Sequence, residues 1–126
     1  MISAADRTAL SPRQNSTPVT LINCFEVPAG REAEFFDAWK GMNTYFRAQP
    51  GYVSNRLHRA VSPSARYAFV NVVAWESAEA YQAAHTTEFF QSSIRDPKWR
   101  DFPNVPGLFE VVFEADVDSG VTFETQ

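Results

Sequence analysis

The sequence predicts one α+β domain, in which helices cover one face of a β-sheet. Hydrophobic patterns along the chain follow the order strand, helix, strand, strand, helix, strand, and no internal repeat is visible. The chain has 126 residues, is 44% hydrophobic and contains eleven Phe, four Tyr and three Trp, which is enough to build one core. One strand, at residues 66–75, is apolar on both faces, so both faces of the sheet need an apolar cover.

The first half of the domain predicts a strand and a helix. Residues 19–27 (VTLINCFEV) are rich in β-branched and aromatic residues, and the loop signal Pro-Ala-Gly follows at 28–30. Residues 31–49 place large apolar side chains at spacings of three and four, so they predict a helix that Pro50-Gly51 ends. Its apolar face comprises Phe35, Phe36, Trp39, Met42 and Phe46.

The second half predicts a hairpin, a helix and a last strand. Residues 52–60 and 66–75 predict the hairpin strands, joined through Ser-Pro-Ser at 62–64. Ser77 predicts the N-cap of a helix that runs to about residue 94, and residues 107–115 (GLFEVVFEA) predict the last strand after an irregular segment at 95–106. This order is the ferredoxin-like βαββαβ order.

The strand at 66–75 predicts a homodimer. Side chains alternate between the two faces of a strand, so Tyr67, Phe69, Asn71, Val73 and Trp75 share one face, and Ala68, Val70, Val72 and Ala74 share the other. The helices cover only one face. A second copy of the sheet is the simplest cover for the Ala/Val face.

Charge and cysteine content exclude several classes of function. The net charge is −4 and no run of Lys or Arg is present, so nucleic acid and anionic membranes are not expected partners. The single Cys24 cannot form an intrachain disulfide, and no Cys/His cluster with zinc-site spacing exists. Residues 1–18 carry no apolar signal-peptide core and predict a flexible arm, residues 19–115 the domain, and residues 116–126 a tail. We therefore expect a cytoplasmic protein without a structural metal.

Two asparagines are the principal candidates for chemistry. Asn23 on the first strand and Asn71 on the third have apolar neighbours, where Val or Ile would pack at lower cost. A buried amide without partners costs roughly 1–3 kcal/mol. Each Asn could simply bond a neighbouring side chain or a water. Trp75 shares the strand face of Asn71, four residues further on, and could equally be an ordinary core residue.

Further candidates lie on the helix that follows and on the second strand. Tyr81 and His85 are spaced i, i+4 and can both reach the space above Asn71 and Trp75. Arg95 could cap the helix or direct a cation at a substrate oxygen. The default interpretation of His58 is a surface imidazole. The expected convergence of two Asn, a Trp, a Tyr and an Arg in one aromatic-walled space raises the candidates above such structural interpretations.

The chain resembles the antibiotic biosynthesis monooxygenase family over residues 19–115. The resemblance lies in LINCFEVPAGREAEF, AQPGYVSNRLHR, ARYAFVNVVAWESAEAYQAAH and GLFEVVFEA. It implies a ferredoxin-like domain that dimerises into an α+β barrel, in agreement with the two-faced apolar strand. The quinone-forming branch of the family oxidises aromatic polyketides with O2 and needs no metal, flavin or haem.

The resemblance to that branch assigns roles to individual residues. Its first-strand Asn falls on Asn23, and its Asn-x-x-x-Trp falls on Asn71 and Trp75. Tyr81, Arg95 and His58 occupy positions that some members use for the substrate. The implied activity is the cofactor-independent oxidation of a polycyclic phenol or anthrone to a quinone. Two amides could stabilise a phenolate or peroxide oxygen, and His58, His85 or the acidity of the substrate itself must provide for deprotonation.

Two other functions stay open. A haem-degrading branch shares the first-strand Asn, but its second Trp and its iron-ligating His fall here on Ala84 and Ser93, and His85 lies nearby in sequence. The third alternative is a non-oxidative binding protein or isomerase that uses the same cavity.

Overall fold

The computed structural model describes residues 17–118 and 120–122. The predicted N-terminal arm therefore lies outside the described residues, apart from its last two positions. Four strands, β1 (Val19–Phe25), β2 (Tyr52–Arg59), β3 (Phe69–Trp75) and β4 (Asn104–Phe109), form one antiparallel sheet in the order β2-β3-β1-β4. This topology confirms the ferredoxin-like α+β fold.

Helix α1 (Glu32–Arg47) packs across the sheet and agrees with the sequence pattern except at one position. Phe35 is fully buried between Phe25 and Phe69, with ring centroids 4.9 and 4.8 Å away. Phe36 was predicted on the same apolar face but is 42% exposed, because it lies one position, about 100°, further around the helix. Its ring instead stacks on Trp39 at the surface.

The prediction of one helix from 77 to 94 is wrong, because the chain forms two short helices there. Helix α2 (Ala78–His85) is capped by Ser77, whose Oγ accepts a hydrogen bond from the Ala80 N–H at 3.0 Å. Helix α3 (Glu88–Ser93) has its own N-cap, Thr87. Between them the Tyr45 hydroxyl donates to the Ala84 carbonyl at 2.7 Å, where a continuous helix would use the amide four residues on.

The last strand begins three residues earlier than predicted and ends sooner. A 3₁₀ helix (Pro97–Asp101) leads into β4, so the segment 95–106 is more regular than expected. Pro106 lies within β4, which it can occupy because β4 is an edge strand. Of the residues predicted to extend the last strand, 110–113 lie in no strand, whereas Glu114 and Ala115 belong to β5 (Glu114–Asp116), which pairs with β6 (Gly120–Thr122) in a separate two-stranded sheet.

The two faces of the main sheet differ as the alternation predicts. On β3 the residues Phe69, Asn71, Val73 and Trp75 are buried under the helices on what we call the inner sheet face. The opposite, outer sheet face carries partly exposed Ile22, Val70, Val72 and Ala74, with Val105 and Phe109 each more than half exposed. Within the described chain, no helix is both long and apolar enough to cross a bilayer.

Candidate functional site

A cavity of about 580 Å³ lies between the inner sheet face and the helices. All four strands of the main sheet, α1, α2, α3 and the 3₁₀ helix contribute to its walls. Its aromatic lining comprises Phe25, Trp39, Phe46, Tyr52, Trp75, Tyr81, Phe90, Trp99 and Phe102. Six predicted site residues also line it, namely Asn23, Asn71, Trp75, Tyr81, His85 and Arg95. A flat aromatic molecule is the ligand that such walls favour.

Asn23 and Asn71 lie directly opposite each other across β1 and β3. Asn71 is 8% exposed and is the buried polar residue of the described core. Its Oδ1 accepts a hydrogen bond from Asn55 Nδ2 at 3.0 Å, and the Oδ1 of Asn23 accepts one from Asn104 Nδ2 at 2.9 Å. Both acceptor oxygens are therefore occupied, and the structure assigns no partner among the described residues to either Nδ2 group.

A bulge on β2 brings Asn55 to Asn71. The register shifts between Tyr52 and Ser54, so Val53 is an extra residue and Tyr52 shares the inner sheet face with Asn55. The Tyr52 hydroxyl donates to Asn55 Oδ1. Burial raises the pKa of Tyr52, while the charge of Arg47 acts in the opposite direction, so the phenol stays protonated and able to donate.

Trp75 forms the centre of the aromatic wall. It is 1% exposed and meets Phe46, Tyr52 and Tyr81 edge to face, at centroid distances of 6.2, 5.8 and 6.1 Å. Its buried indole N–H has no hydrogen-bond partner within the described part of the chain. Core packing alone therefore fixes the ring, and the polar edge of the indole stays uncompensated.

His85 presents a free ring nitrogen in apolar surroundings. Its Nδ1 lies 2.7 Å from the Tyr81 carbonyl oxygen, which can only accept, so Nδ1 carries the proton and neutral His85 keeps a lone pair on Nε2. The ring packs against Phe46, Tyr81 and Phe90 at 4.1 to 4.8 Å. Burial lowers the pKa of His85 below its ordinary value, and the hydrogen bond to Tyr81 opposes that shift only in part.

Two arginines lie at the rim of the cavity. Arg95 follows α3 and Arg100 lies in the 3₁₀ helix, and both are exposed. Neither forms an ion pair with any residue that the structure describes. The 3₁₀ helix is fastened to α1 by Arg31, which donates to Asp101 at 2.8 Å and to Glu34 at 2.7 Å. The rim therefore offers two cations to an anionic group on a ligand.

His58 is the predicted site residue that the chain does not bring to the cavity. It pairs with Val70, which places it on the outer sheet face, and its Nδ1 lies 3.3 Å from the Val70 carbonyl oxygen. The alternation of side chains along β2 explains this position. Leu57 is the residue of β2 opposite Asn71, so the next residue, His58, points to the other face.

Sequence reasoning missed Tyr52, Asn55, Trp99, Arg100 and Asn104 as residues of the site. Tyr52 and Asn55 are three positions apart, and strand alternation places such a pair on opposite faces unless a bulge intervenes. Trp99, Arg100 and Asn104 lie in the segment that was predicted to be irregular. The Asp-Pro at 96–97, which here caps and starts the 3₁₀ helix, is the sequence signal that could have revealed part of it.

The chain is similar to one protein family in sequence and to several solved structures of this fold. The sequence profile of the antibiotic biosynthesis monooxygenase family matches residues 18–96. No curated protein sequence gives a significant match. A candidate monooxygenase from Shewanella loihica is 31% identical, with a TM-score of 0.65 over 77% of this chain and 96% of that chain.

Two further solved structures are similar to the chain. SnoaB, a cofactor-independent oxygenase from Streptomyces nogalater, is 25% identical, with a TM-score of 0.66 over 82% of this chain and 99% of that chain. A variant of MhuD that holds two manganese protoporphyrin IX molecules per active site is 30% identical, with a TM-score of 0.62 over 78% of this chain and 98% of that chain.

Proposed function

The chain belongs to the antibiotic biosynthesis monooxygenase family, and we propose that it oxidises a polycyclic phenol or anthrone to a quinone with O2 and without a cofactor. The observation that carries this proposal is the pair of opposed amides, Asn23 and Asn71, with their Nδ2 groups unbonded beside an aromatic cavity. Two N–H donors on one rung suit an oxygen that becomes negative during the reaction. The likeness to a cofactor-independent oxygenase supports the same chemistry.

Deprotonation of the substrate is the step that makes a reaction with O2 accessible. Ground-state O2 is a triplet and reacts slowly with closed-shell molecules, whereas a phenolate or its carbanion tautomer is electron-rich enough to transfer one electron to it. In this proposal the Nε2 of His85 accepts the proton. The Tyr81 carbonyl holds Nδ1–H, and burial lowers the pKa of His85, so the ring stays neutral near neutral pH and its Nε2 lone pair is free to accept the proton.

The substrate supplies all the reducing equivalents. Its anion transfers one electron to O2, the organic radical and superoxide combine into a peroxide, and loss of water leaves the new carbonyl group. An anthrone methylene and one O2 thus give one quinone carbonyl and one water. Asn23 and Asn71 donate to the anionic oxygen, with about 2–4 kcal/mol of transition-state stabilisation for each preorganised donor.

The aromatic walls and the cationic rim account for binding. Trp75, Tyr81 and Phe46 contact the flat rings and keep water from the peroxide. Burial raises the pKa of Tyr81, so its hydroxyl stays protonated and can donate to a substrate oxygen. Arg95 binds a carboxylate or a second phenolate at the rim.

An oxygen-electrode assay tests this proposal. The purified protein is incubated with 1,8-dihydroxyanthrone without added metal, flavin or haem, and O2 uptake and the visible quinone band are recorded together. We expect one O2 consumed for each quinone formed, with unchanged rates after treatment with a chelator. Binding of the anthrone without O2 uptake would favour a non-oxidative binding protein or isomerase and would contradict the proposal.

A haem-degrading activity is the second candidate function. It rests on the lone pair of His85 Nε2 beside the cavity and on the 30% identity to a porphyrin-binding protein. The positions that the resemblance implied for haem do not serve it, because Ala84 is 3% exposed and Ser93 Oγ donates to the Phe89 carbonyl at 2.8 Å. His85 would have to ligate the iron and haem would supply the O2 activation. A Soret shift on haem titration that His85→Ala abolishes would favour this second function.

The outer sheet face supports a homodimer in which two sheets pack face to face. Val105 and Phe109 are 53% and 54% exposed, next to the partly exposed Ile22, Val70 and Val72. A second copy of this face is the complementary occupant, because it offers the same apolar strip in the same fold. In this arrangement residues 19–115 form the dimerising domain. The proposal also places the protein in the cytoplasm, with the aromatic substrate and O2 as its other partners.

A further inference from the structure

We propose that Asn55 and Asn104 are positioning residues that fix Asn71 and Asn23 as hydrogen-bond donors toward the cavity. This inference rests on the proposed oxidation of a phenol, since it explains how the two amides come to face a developing anion. An amide group has an acceptor end and a donor end of nearly the same shape. Without a neighbour that chooses between them, either end could point at the ligand.

The neighbours make that choice by donating to the acceptor ends. Asn55 Nδ2 donates to Asn71 Oδ1 at 3.0 Å, so Asn71 Nδ2 is the end that remains for the cavity. Asn104 Nδ2 donates to Asn23 Oδ1 at 2.9 Å, with the same consequence for Asn23. Because Asn23 and Asn71 are direct cross-strand partners, the two freed donors lie on one rung of the sheet.

The hydrogen bonds that orient Asn71, which we call the Asn55 arm, include one that orients Asn55 itself. The Tyr52 hydroxyl donates to Asn55 Oδ1, so Asn55 must offer its Nδ2 to Asn71. The order of donation runs from phenol to amide to amide and ends at the cavity. In a chain of this kind each bond polarises the next, which strengthens the terminal donor. The bulge at Val53 makes the chain possible, because it brings Tyr52 and Asn55 to one face.

The single hydrogen bond from Asn104 to Asn23, which we call the Asn104 arm, is simpler and more exposed. Asn104 lies at the start of the edge strand β4, and its bond to Asn23 is open to water. Water can replace an exposed donor more readily than a buried one. We therefore expect the Asn55 arm to contribute more to the orientation of its partner than the Asn104 arm does.

Asn55→Asp tests the direction of donation with almost no change of shape. An Asp carboxylate at 55 cannot donate, so the Asn71 amide should turn, give its Nδ2 to the new carboxylate and present Oδ1 to the cavity. Asn43→Asp is the matched control, because Asn43 also lines the cavity and the change adds the same charge at a side chain that forms no hydrogen bond with Tyr52 or the four bonded Asn residues. Asn55→Ala is the neutral counterpart, which frees the Asn71 amide without adding charge.

The first readout is the ionisation of bound 1,8-dihydroxyanthrone, followed by its absorbance under anaerobic conditions. We expect Asn55→Asp to lower the preference for the bound anion about tenfold more than Asn43→Asp does, and Asn55→Ala to lower it about threefold. Melting temperatures should stay within a few degrees of the wild type. Equal effects of Asn55→Asp and Asn43→Asp would overturn the positioning role, since charge alone would then explain the loss.

The second readout needs no ligand and separates this inference from the proposed function. In ¹⁵N NMR spectra of the free protein, the side-chain amide protons of Asn55 should be protected from exchange and those of Asn71 should exchange faster. In Asn55→Asp the protection should move to Asn71. Protected Asn71 protons in the wild type would overturn the inference. A wild type that shows the expected exchange pattern but neither ionises nor oxidises the anthrone would instead contradict the proposed function.

Discussion

Replacing Asn71 by Ala should reduce turnover far more than it reduces stability. The change removes one of the two donors that face the cavity, and loss of one preorganised donor slows an enzyme roughly ten- to a thousandfold. It also leaves Asn55 Nδ2, which donates to Asn71 at 3.0 Å, without its acceptor. That loss costs about 1–2 kcal/mol, because the adjoining cavity lets water reach the orphaned group. For a chain of this size the melting temperature should fall by about 3–10 °C.

The assay compares rate per folded molecule with thermal stability on the same samples. Initial rates of O2 uptake with 1,8-dihydroxyanthrone are measured at 20 °C, where both proteins are folded, and melting is followed by circular dichroism. Phe69→Leu provides the control: Phe69 is buried two residues before Asn71 on the same sheet face, but it does not line the cavity. It should lose less than the roughly 3–5 kcal/mol of a truncation to Ala and keep its turnover.

Two results would refute this reasoning. If Asn71→Ala melts early yet oxidises the anthrone at the wild-type rate, Asn71 is only a satisfied core amide. If Phe69→Leu loses turnover in the same proportion as Asn71→Ala, the rate reports general loosening of the sheet instead of a missing donor.

Three further predictions concern other parts of the molecule. The pKa of His85 lies below its ordinary value of 6.5 because of burial, so kcat/KM should fall only as the pH drops below about 6.5. The stability of the folded state should weaken over the same range, because the unfolded chain binds the proton more tightly. His85→Gln should have a much lower kcat/KM without this pH dependence, and an unchanged acid limb in this variant would exclude His85 as the base. Gly51→Ala should cost roughly 1–3 kcal/mol in chemical denaturation, since Gly51 has a φ of 88° and an added Cβ would overlap the Cβ of Ala80; a variant as stable as the wild type would disprove that close approach. Sedimentation at micromolar concentration should show a dimer that Val72→Lys converts to a monomer, whereas a monomeric wild type would contradict packing through the outer sheet face.

The sequence predicted the sheet and the cavity residues on regular strands because strand alternation is a local property. Asn23, Asn71 and Trp75 could be assigned to one face from parity alone, and the register of β1 against β3 then brought the two amides together. His85 and Tyr81 followed from helical spacing in the same way. These positions depend on periodicity, which neighbouring residues maintain and which tertiary contacts did not disturb here.

The parts that sequence reasoning missed depend on contacts between distant residues. The break after α2 arises where Tyr45, 39 positions away in sequence, bonds the Ala84 carbonyl, and a helical pattern at 77–94 gives no sign of it. The break turns Phe90 into the cavity and leaves Phe89 60% exposed, although in one continuous helix Phe89, four residues after His85, would share the face of His85. The role of Asn55 likewise follows from a bulge, whose position pattern reasoning does not give.

The polar groups of the cavity form a complementary set for one kind of reaction. Asn23 and Asn71 offer donors that the described residues leave unbonded, and His85 offers a lone pair fixed by its bond to the Tyr81 carbonyl. A neutral phenol satisfies only part of this set, because it brings one proton for the base and little charge for the donors. Once the proton moves to Nε2, the resulting oxyanion meets the amides and the imidazolium balances its charge. The set is thus better matched to the ionised than to the neutral substrate, and that difference in binding is what accelerates a reaction. Polar groups left uncompensated in an otherwise apolar core lower the stability of the free protein, which is the pattern expected where a site has been kept for chemistry.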